Sequence, residues 1–141
     1  MEPSPSEQCE RAAEPSGAPP RKVLVLMRKA PYGSLSNWEG LQVLLIMGAY
    51  KMQGLVDIAV AFVEDGVFAI TQGQDPSLLG MKSTAKTYPA LPDFEVDRFY
   101  VDGQALADRN LTLDDLVIKP EILDAAGMAR LLAEQDAVLP F

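Results

Sequence analysis

The sequence predicts a single α/β domain on a mainly parallel five-stranded sheet flanked by helices. Three observations carry that expectation. Two short, nearly continuous apolar runs, Lys22–Arg28 (KVLVLMR) and Val56–Val63 (VDIAVAFV), have the composition of parallel strands covered on both faces. Between them Asn37–Gln53 is long enough for a helix and is followed by Gly54, a residue suited to closing one. The 141-residue chain, 48% hydrophobic, can bury one core and falls in the usual size range of one domain.

The elements follow in order. Met1–Arg21 is rich in Pro, Ser, Glu and Ala with little to bury, so residues 1–21 are expected to be a disordered tail and 22–141 the domain. After the first strand, Pro31 and Gly33 break the chain. Ser36 is the expected N-cap of the helix, and Glu39 three residues on completes a capping-box pattern. Strand, helix and strand in that order make a βαβ unit, right-handed in nearly all known cases. Glu64-Asp65-Gly66 is a turn, and Val67–Gln72 reads as a short helix or a strand extension. Gly73–Lys86 is a long loop containing Gly80, and Tyr88–Val96 a short helix interrupted by Pro89 and Pro92. Asp97–Asp102 is the third strand, Gly103–Asn110 a helical turn, and Leu116–Lys119 a brief fourth strand ahead of Pro120. Ile122–Gln135 is read as an amphipathic helix. Asp136–Phe141 is the last strand, at an edge because Pro140 cannot donate to a central ladder.

Composition narrows the chemistry. There is one cysteine and no histidine, so no intramolecular disulfide, no Ser-His-Asp or Cys-His arrangement and no cysteine-histidine metal site can be assembled within the chain. A carboxylate-only Mg²⁺ or Ca²⁺ site stays open on composition alone. The net charge of −8 argues against free-standing nucleic-acid binding, which requires clustered Lys and Arg. The longest apolar run, Val43–Ala49, is far short of the roughly 18 residues of a spanning helix. The acidic, proline-rich start has no signal-peptide pattern, so a soluble cytoplasmic protein is expected, with no membrane partner. Cys9, the one thiol, falls in the tail with Glu7 and Glu10 beside it, which disfavour a reactive thiolate.

The helix Asn37–Gln53 is apolar on more than one face. Trp38, Leu41, Leu45, Ala49 and Met52 form one stripe, and Val43, Ile46, Met47 and Tyr50 another. A helix on a small sheet ordinarily shows one apolar stripe and a charged face. Some 120 residues can hardly wrap a helix completely, so one face is expected to meet another subunit.

Candidate sites follow. The turn Arg28–Ser36 joins the carboxyl end of a strand to a helix N-terminus, where open α/β sheets bind ligands and anions. Ser34, Ser36, Arg28 and Lys29 suit a phosphate, but with neither a GxGxxG nor a GxxxxGK[ST] pattern present the segment reads first as an ordinary capped turn contacting a neighbouring subunit. Glu64, Asp65 and Asp75 are carboxylates at the same edge, as adjacent acids in a turn more often solvated than metal-binding. Asp114-Asp115 reads as turn capping, and Lys82 and Lys86 as exposed charges in the middle loop. No catalytic, cofactor-binding or metal-ligating residue is assigned.

Several segments taken together resemble the DsrE/DsrF-like family. They are Arg28-Lys29-Ala-Pro-Tyr-Gly33, Trp38-Glu39-Gly-Leu41, Glu64-Asp65-Gly66-Val67-Phe68, Thr71-Gln-Gly-Gln-Asp75, Gly80-Met81-Lys82 and Tyr100-Val-Asp102. Leu111-Thr112 and Asp114-Asp115-Leu116-Val117 complete the series. The similarity covers Lys22–Phe141 and is greatest to the DsrF and TusC branches. It implies an α/β domain with flavodoxin-like layering and the role of a non-catalytic subunit in a sulfur-relay heterohexamer. The implied partners are DsrE/TusD-like and DsrH/TusB-like subunits, with a DsrC/TusE-like sulfur acceptor reached through the complex and no cofactor. In such complexes the sulfur-carrying cysteine belongs chiefly to the DsrE or TusD subunit, which agrees with a folded domain lacking one. The Arg28–Gly33 turn and Gln74–Lys82 stretch are more similar to DsrF, tied to sulfur oxidation, than to TusC, tied to 2-thiouridine formation in tRNA. The interface candidates are Lys29, Pro31, Tyr32, Gly33, Trp38, Met47, Tyr50, Met81 and Lys82. A flavodoxin-like small-molecule binder and a homo-oligomeric family member are the alternatives.

Overall fold

The computed structural model describes residues 17–141. Five strands form one sheet in the order β4-β3-β2-β1-β5, and all four pairings are parallel. The strands are β1 Arg21–Met27, β2 Val56–Phe62, β3 Phe99–Asp102, β4 Glu121–Leu123 and β5 Ala137–Pro140. The helices are α1 Ser36–Met52, α2 Gly103–Asp108 and α3 Ala125–Ala133. Short 3-10 helices cover Glu64–Ile70, Ser77–Leu79, Tyr88–Phe94 and Leu113–Asp115. Residues 17–20 are exposed and outside any strand or helix; the expected disorder of residues 1–16 and the setting of Cys9 lie outside the described residues.

The alternation of the strands builds two cores. Val23, Val25 and Met27 of β1 and Ile58, Val60 and Phe62 of β2 face one layer, with Leu41 and Leu44 of α1, Tyr88, Leu91 and Leu106. Leu24, Ala59 and Ala61 face the other, where Met128 of α3 packs with Leu131 and Leu132. Both faces of the central strands are apolar because both are covered, which is why each run reads as continuous.

Tight backbone approaches hold the first layer together. The buried face of α1 is Asn37, Gly40, Leu41, Leu44 and Gly48. A Cβ on Gly40 would stand 2.7 Å from the Met27 sulfur, and one on Gly48 would collide with the Phe94 carbonyl. After β2, the Val63 N–H donates to the Met27 carbonyl at 3.0 Å. Gly66 passes against that same carbonyl, leaving no room for a side chain.

The expected elements stand with local corrections. β1 takes in Arg21, the residue assigned to the tail. Ser36 is not the N-cap: Leu35 already has helical dihedrals (φ −86°, ψ −6°), so the helix starts one residue early without a side-chain cap. The Glu39 N–H accordingly bonds the Leu35 carbonyl at 2.9 Å. A capping box forms instead at Thr112 and Asp115, whose carboxylate takes the Thr112 N–H at 2.8 Å. Gly54 closes α1 at φ +73°.

The fourth strand is not Leu116–Lys119. Leu116 makes only an isolated antiparallel bridge with Thr71, and β4 lies beyond Pro120. The amphipathic helix is consequently shorter than Ile122–Gln135. Asp124 separates β4 from α3 and caps it, its carboxylate accepting the Gly127 N–H at 2.7 Å. Among the described residues no helix is long and apolar enough to cross a membrane.

Candidate functional site

Two segments frame the carboxyl ends of β1 and β2. One is the turn of residues 28–35, joining β1 to α1; the other is the loop of residues 71–87, between two 3-10 helices. Gly33 takes φ +95° and is exposed, a conformation suited to glycine at the tip of the turn. Lys29 is exposed, and with Arg28, Ser36, Glu39, Pro140 and Phe141 it lines a depression of about 330 Å³. Pro31 is buried, so it packs the turn rather than presenting a surface. Tyr32 is half-buried, its hydroxyl sequestered with no hydrogen-bond partner.

The second segment is braced by amides. Gln72 Nε2 donates to the Leu116 carbonyl at 2.8 Å, and Gln74 Nε2 to the carbonyls of Phe68 and Thr71. Asp75 caps the following turn by accepting the Ser77 N–H at 3.0 Å, and this bond holds its carboxyl below the ordinary carboxylate value. The chain then forms a projecting tip in which Leu78 is 98% exposed, with Gly80 in the left-handed region at φ +65°. Met81 is half-buried and Lys82 exposed. Beside the tip, Thr71, Gln72, Gly73, Gln74, Ser83, Ala85, Lys86 and Val117 line a cavity of about 370 Å³.

Asp65, like Asp75, has a structural partner at this edge. Asp65 pairs with Arg109 at 2.9 Å, and the guanidinium lies over the Phe68 ring, 5.8 Å from its centroid. Among the described residues no three Asp, Glu, His or Cys side chains are grouped as a metal site would need.

The third surface is the outward side of α1. Trp38, Ile46 and Tyr50 point away from the sheet and are 52, 55 and 43% exposed. Met47 is half-buried, and with Tyr50 it lines an apolar groove of about 440 Å³ with Ala18, Pro19, Arg21, Gly54, Leu55 and Val56. This groove lies at the starts of β1 and β2, the opposite end of the sheet from the two loops. The candidates thus divide into Lys29, Tyr32 and Gly33 in the turn, Met81 and Lys82 in the loop, and Trp38, Met47 and Tyr50 along the helix. Sequence reasoning left Ile46, Leu78, Leu79 and Phe94 out of the candidates, although all four are largely exposed. Gly40 and Gly48 carried a usable signal for Ile46: small residues mark the side of closest approach, and Ile46 lies opposite.

A two-loop carboxyl edge on an all-parallel five-stranded sheet is a frame that many functions share, so the decision rests on comparison. The model of the DsrE/DsrF-like family matches residues 21–141. The chain belongs to the DsrE/DsrF-like family. Among its relatives, the intracellular sulfur oxidation protein DsrF of Allochromatium vinosum is 41% identical over 135 residues, covering 86% of this chain and 96% of the relative. A TusC homolog of Pseudomonas aeruginosa is 31% identical over 119 residues, covering 84% of this chain and 97% of the homolog. The crystal structure of the ychN protein from E. coli superimposes with a TM-score of 0.72 at 21% identity, covering 86% of this chain and 99% of that one. That likeness bears on the fold alone, and it places the DsrE/DsrF-like domain on a shared α/β scaffold.

Proposed function

We propose that this chain is a non-catalytic subunit of a cytoplasmic sulfur-relay complex of the DsrEFH kind, serving sulfur oxidation. The observation that carries the reading is the 41% identity to DsrF across nearly the whole length of both chains. The outward face of α1 supports it, because a surface presenting Trp38, Ile46 and Tyr50 beside the exposed Glu39 and Gln42 is suited to burial against another subunit. The cysteine count supports it as well: no cysteine follows Cys9, so the thiol of the transfer belongs to a partner.

In this reading a partner's cysteine carries sulfur as a persulfide. The thiolate of the acceptor attacks the outer sulfur, the S–S bond breaks, and the partner's thiolate leaves. This chain contributes walls: the 28–35 turn and 71–87 loop line the approach and exclude water and stray thiols. Lys29, Tyr32, Gly33, Met81 and Lys82 belong to that approach, and Trp38, Met47 and Tyr50 to the subunit contact.

Co-expression with DsrE-like and DsrH-like chains of the same source tests the proposal. One complex containing all three, transferring labelled sulfur to a DsrC-like acceptor, is the expected result. A chain that purifies alone as a monomer with both candidates present would overturn it.

The identities of 31 to 33% to several TusC homologs favour a second reading, a subunit serving 2-thiouridine formation in tRNA. Restoration of thiolated tRNA in a strain lacking TusC would select it.

A further inference from the structure

Among the described residues, a buried side-chain N or O without a hydrogen-bond partner occurs at Tyr32, Asn37, Thr84 and Gln135. Three of these four belong to the two segments at the carboxyl edge or to the first turn of the helix between them. Asn37 and Thr84 are also the two buried polar residues of an otherwise apolar interior, at 1 and 6% exposure. One hydrogen bond spans the gap: the Tyr88 hydroxyl donates to Asn37 Oδ1 at 3.2 Å. Tyr88 is itself fully buried, its ring edge-on to Phe62 with centroids 5.4 Å apart. Thr84 sits in the turn that delivers Tyr88, its carbonyl accepting the Thr87 N–H at 3.0 Å.

The position of this bond matters more than its strength. Asn37 is followed by Trp38, the exposed aromatic that opens the outward face. Tyr88 opens the 3-10 helix directly after the loop that carries Met81 and Lys82. A buried polar pair has one satisfying arrangement, whereas apolar side chains of the same volume pack in several. Because Asn37 Nδ2 has no partner, the bond to Tyr88 is the side-chain hydrogen bond that orients the amide.

We infer that Asn37 and Tyr88 are positioning residues for partner binding: their bond ties the start of α1 to the residue that follows the 71–87 loop, so that Trp38 on the helix and Met81–Lys82 in the loop are held in one fixed relation to each other. The inference rests on the subunit role proposed above.

The test compares Tyr88→Phe, Asn37→Leu and the double variant with the wild type in three measurements. These are thermal unfolding, hydrogen exchange of the free chain, and assembly with the DsrE-like and DsrH-like chains at a temperature where every variant is folded. Tyr88→Phe is expected to speed exchange in residues 30–38 and 73–86 together and to weaken assembly about tenfold, the loss of one buried hydrogen bond. In the double variant no buried polar partner is left stranded, so thermal stability recovers while assembly stays weak. Recovery of assembly along with stability would overturn the inference, because a merely structural pair behaves that way. Exchange changes confined to residues 84–90 would overturn it too. If the wild type binds neither chain, the subunit role fails, and the exchange measurement still decides the coupling of the two segments.

Discussion

Gly48 of α1 lies against the Phe94 carbonyl so closely that no Cβ fits between them. The helix therefore rests directly on the 3-10 helix Tyr88–Phe94, backbone against backbone, and the Val96 side chain closes the contact from one side.

Gly48→Ala measures that contact. In a free helix alanine is the better residue by about 1 kcal/mol. Here a forced methyl in a packed core costs about 1–3 kcal/mol, and a carbonyl is less able to yield than a flexible side chain. Urea unfolding should show a net loss of stability. A gain would mean that the helix can move off Phe94 without penalty.

Alkaline unfolding reports on Tyr88. Burial pushes its pKa well above the ordinary tyrosine value, with the Asn37 bond opposing, so the folded chain keeps the proton when the unfolded chain has lost it. The stability associated with the neutral hydroxyl is complete below about pH 10 and is lost as pH rises beyond it, at about 1.4 kcal/mol per pH unit. Every other group is common to both proteins, so the quantity to follow is the difference between wild type and Tyr88→Phe. That difference should shrink above pH 10; a constant difference to pH 11 would contradict the assignment.

Ile46→Lys separates folding from association. Ile46 is 55% exposed and faces away from the core, so the change should leave stability within about 0.5 kcal/mol. Sedimentation with the candidate partner chains should nevertheless show assembly lost, since a lysine in the centre of an apolar contact must be desolvated unpaired. Intact assembly would remove the outward face of α1 from the interface.

Cys9→Ser should leave sulfur transfer by the reconstituted complex unchanged, measured as label passed to the acceptor. Loss of transfer would make this chain a carrier and end its reading as a wall that takes no part in the transfer.

Strand runs and the breaks between them were readable wherever one residue type had one use. The first two strands, Gly54 after the helix and Pro140 at an edge all stand where local chemistry put them. The region around Leu116–Gln135 was misread because its signals conflict. Leu116–Lys119 has strand composition, yet only Glu121–Leu123 reaches the edge of β3, pairing Tyr100 with Glu121 and Asp102 with Leu123. Asp124 then reads as one polar residue within an amphipathic run until the strand before it shows that it is a cap. Which stripe of α1 faces the core was obscured by apolar residues on every side, with Gly40 and Gly48 as the one hint.

The sequence by itself determined the α/β class, the parallel sheet, the family and the lack of any thiol beyond Cys9, because patterning, counting and order are properties of the chain. Only the tertiary structure decided that Gly40 and Gly48 mark the packed side of α1, leaving Trp38, Ile46 and Tyr50 outward. It alone joined Asn37 to Tyr88, 51 residues apart, across the carboxyl edge. The reason is physical: periodicity shows that a residue is apolar, but which neighbour covers it depends on how closely two backbones approach.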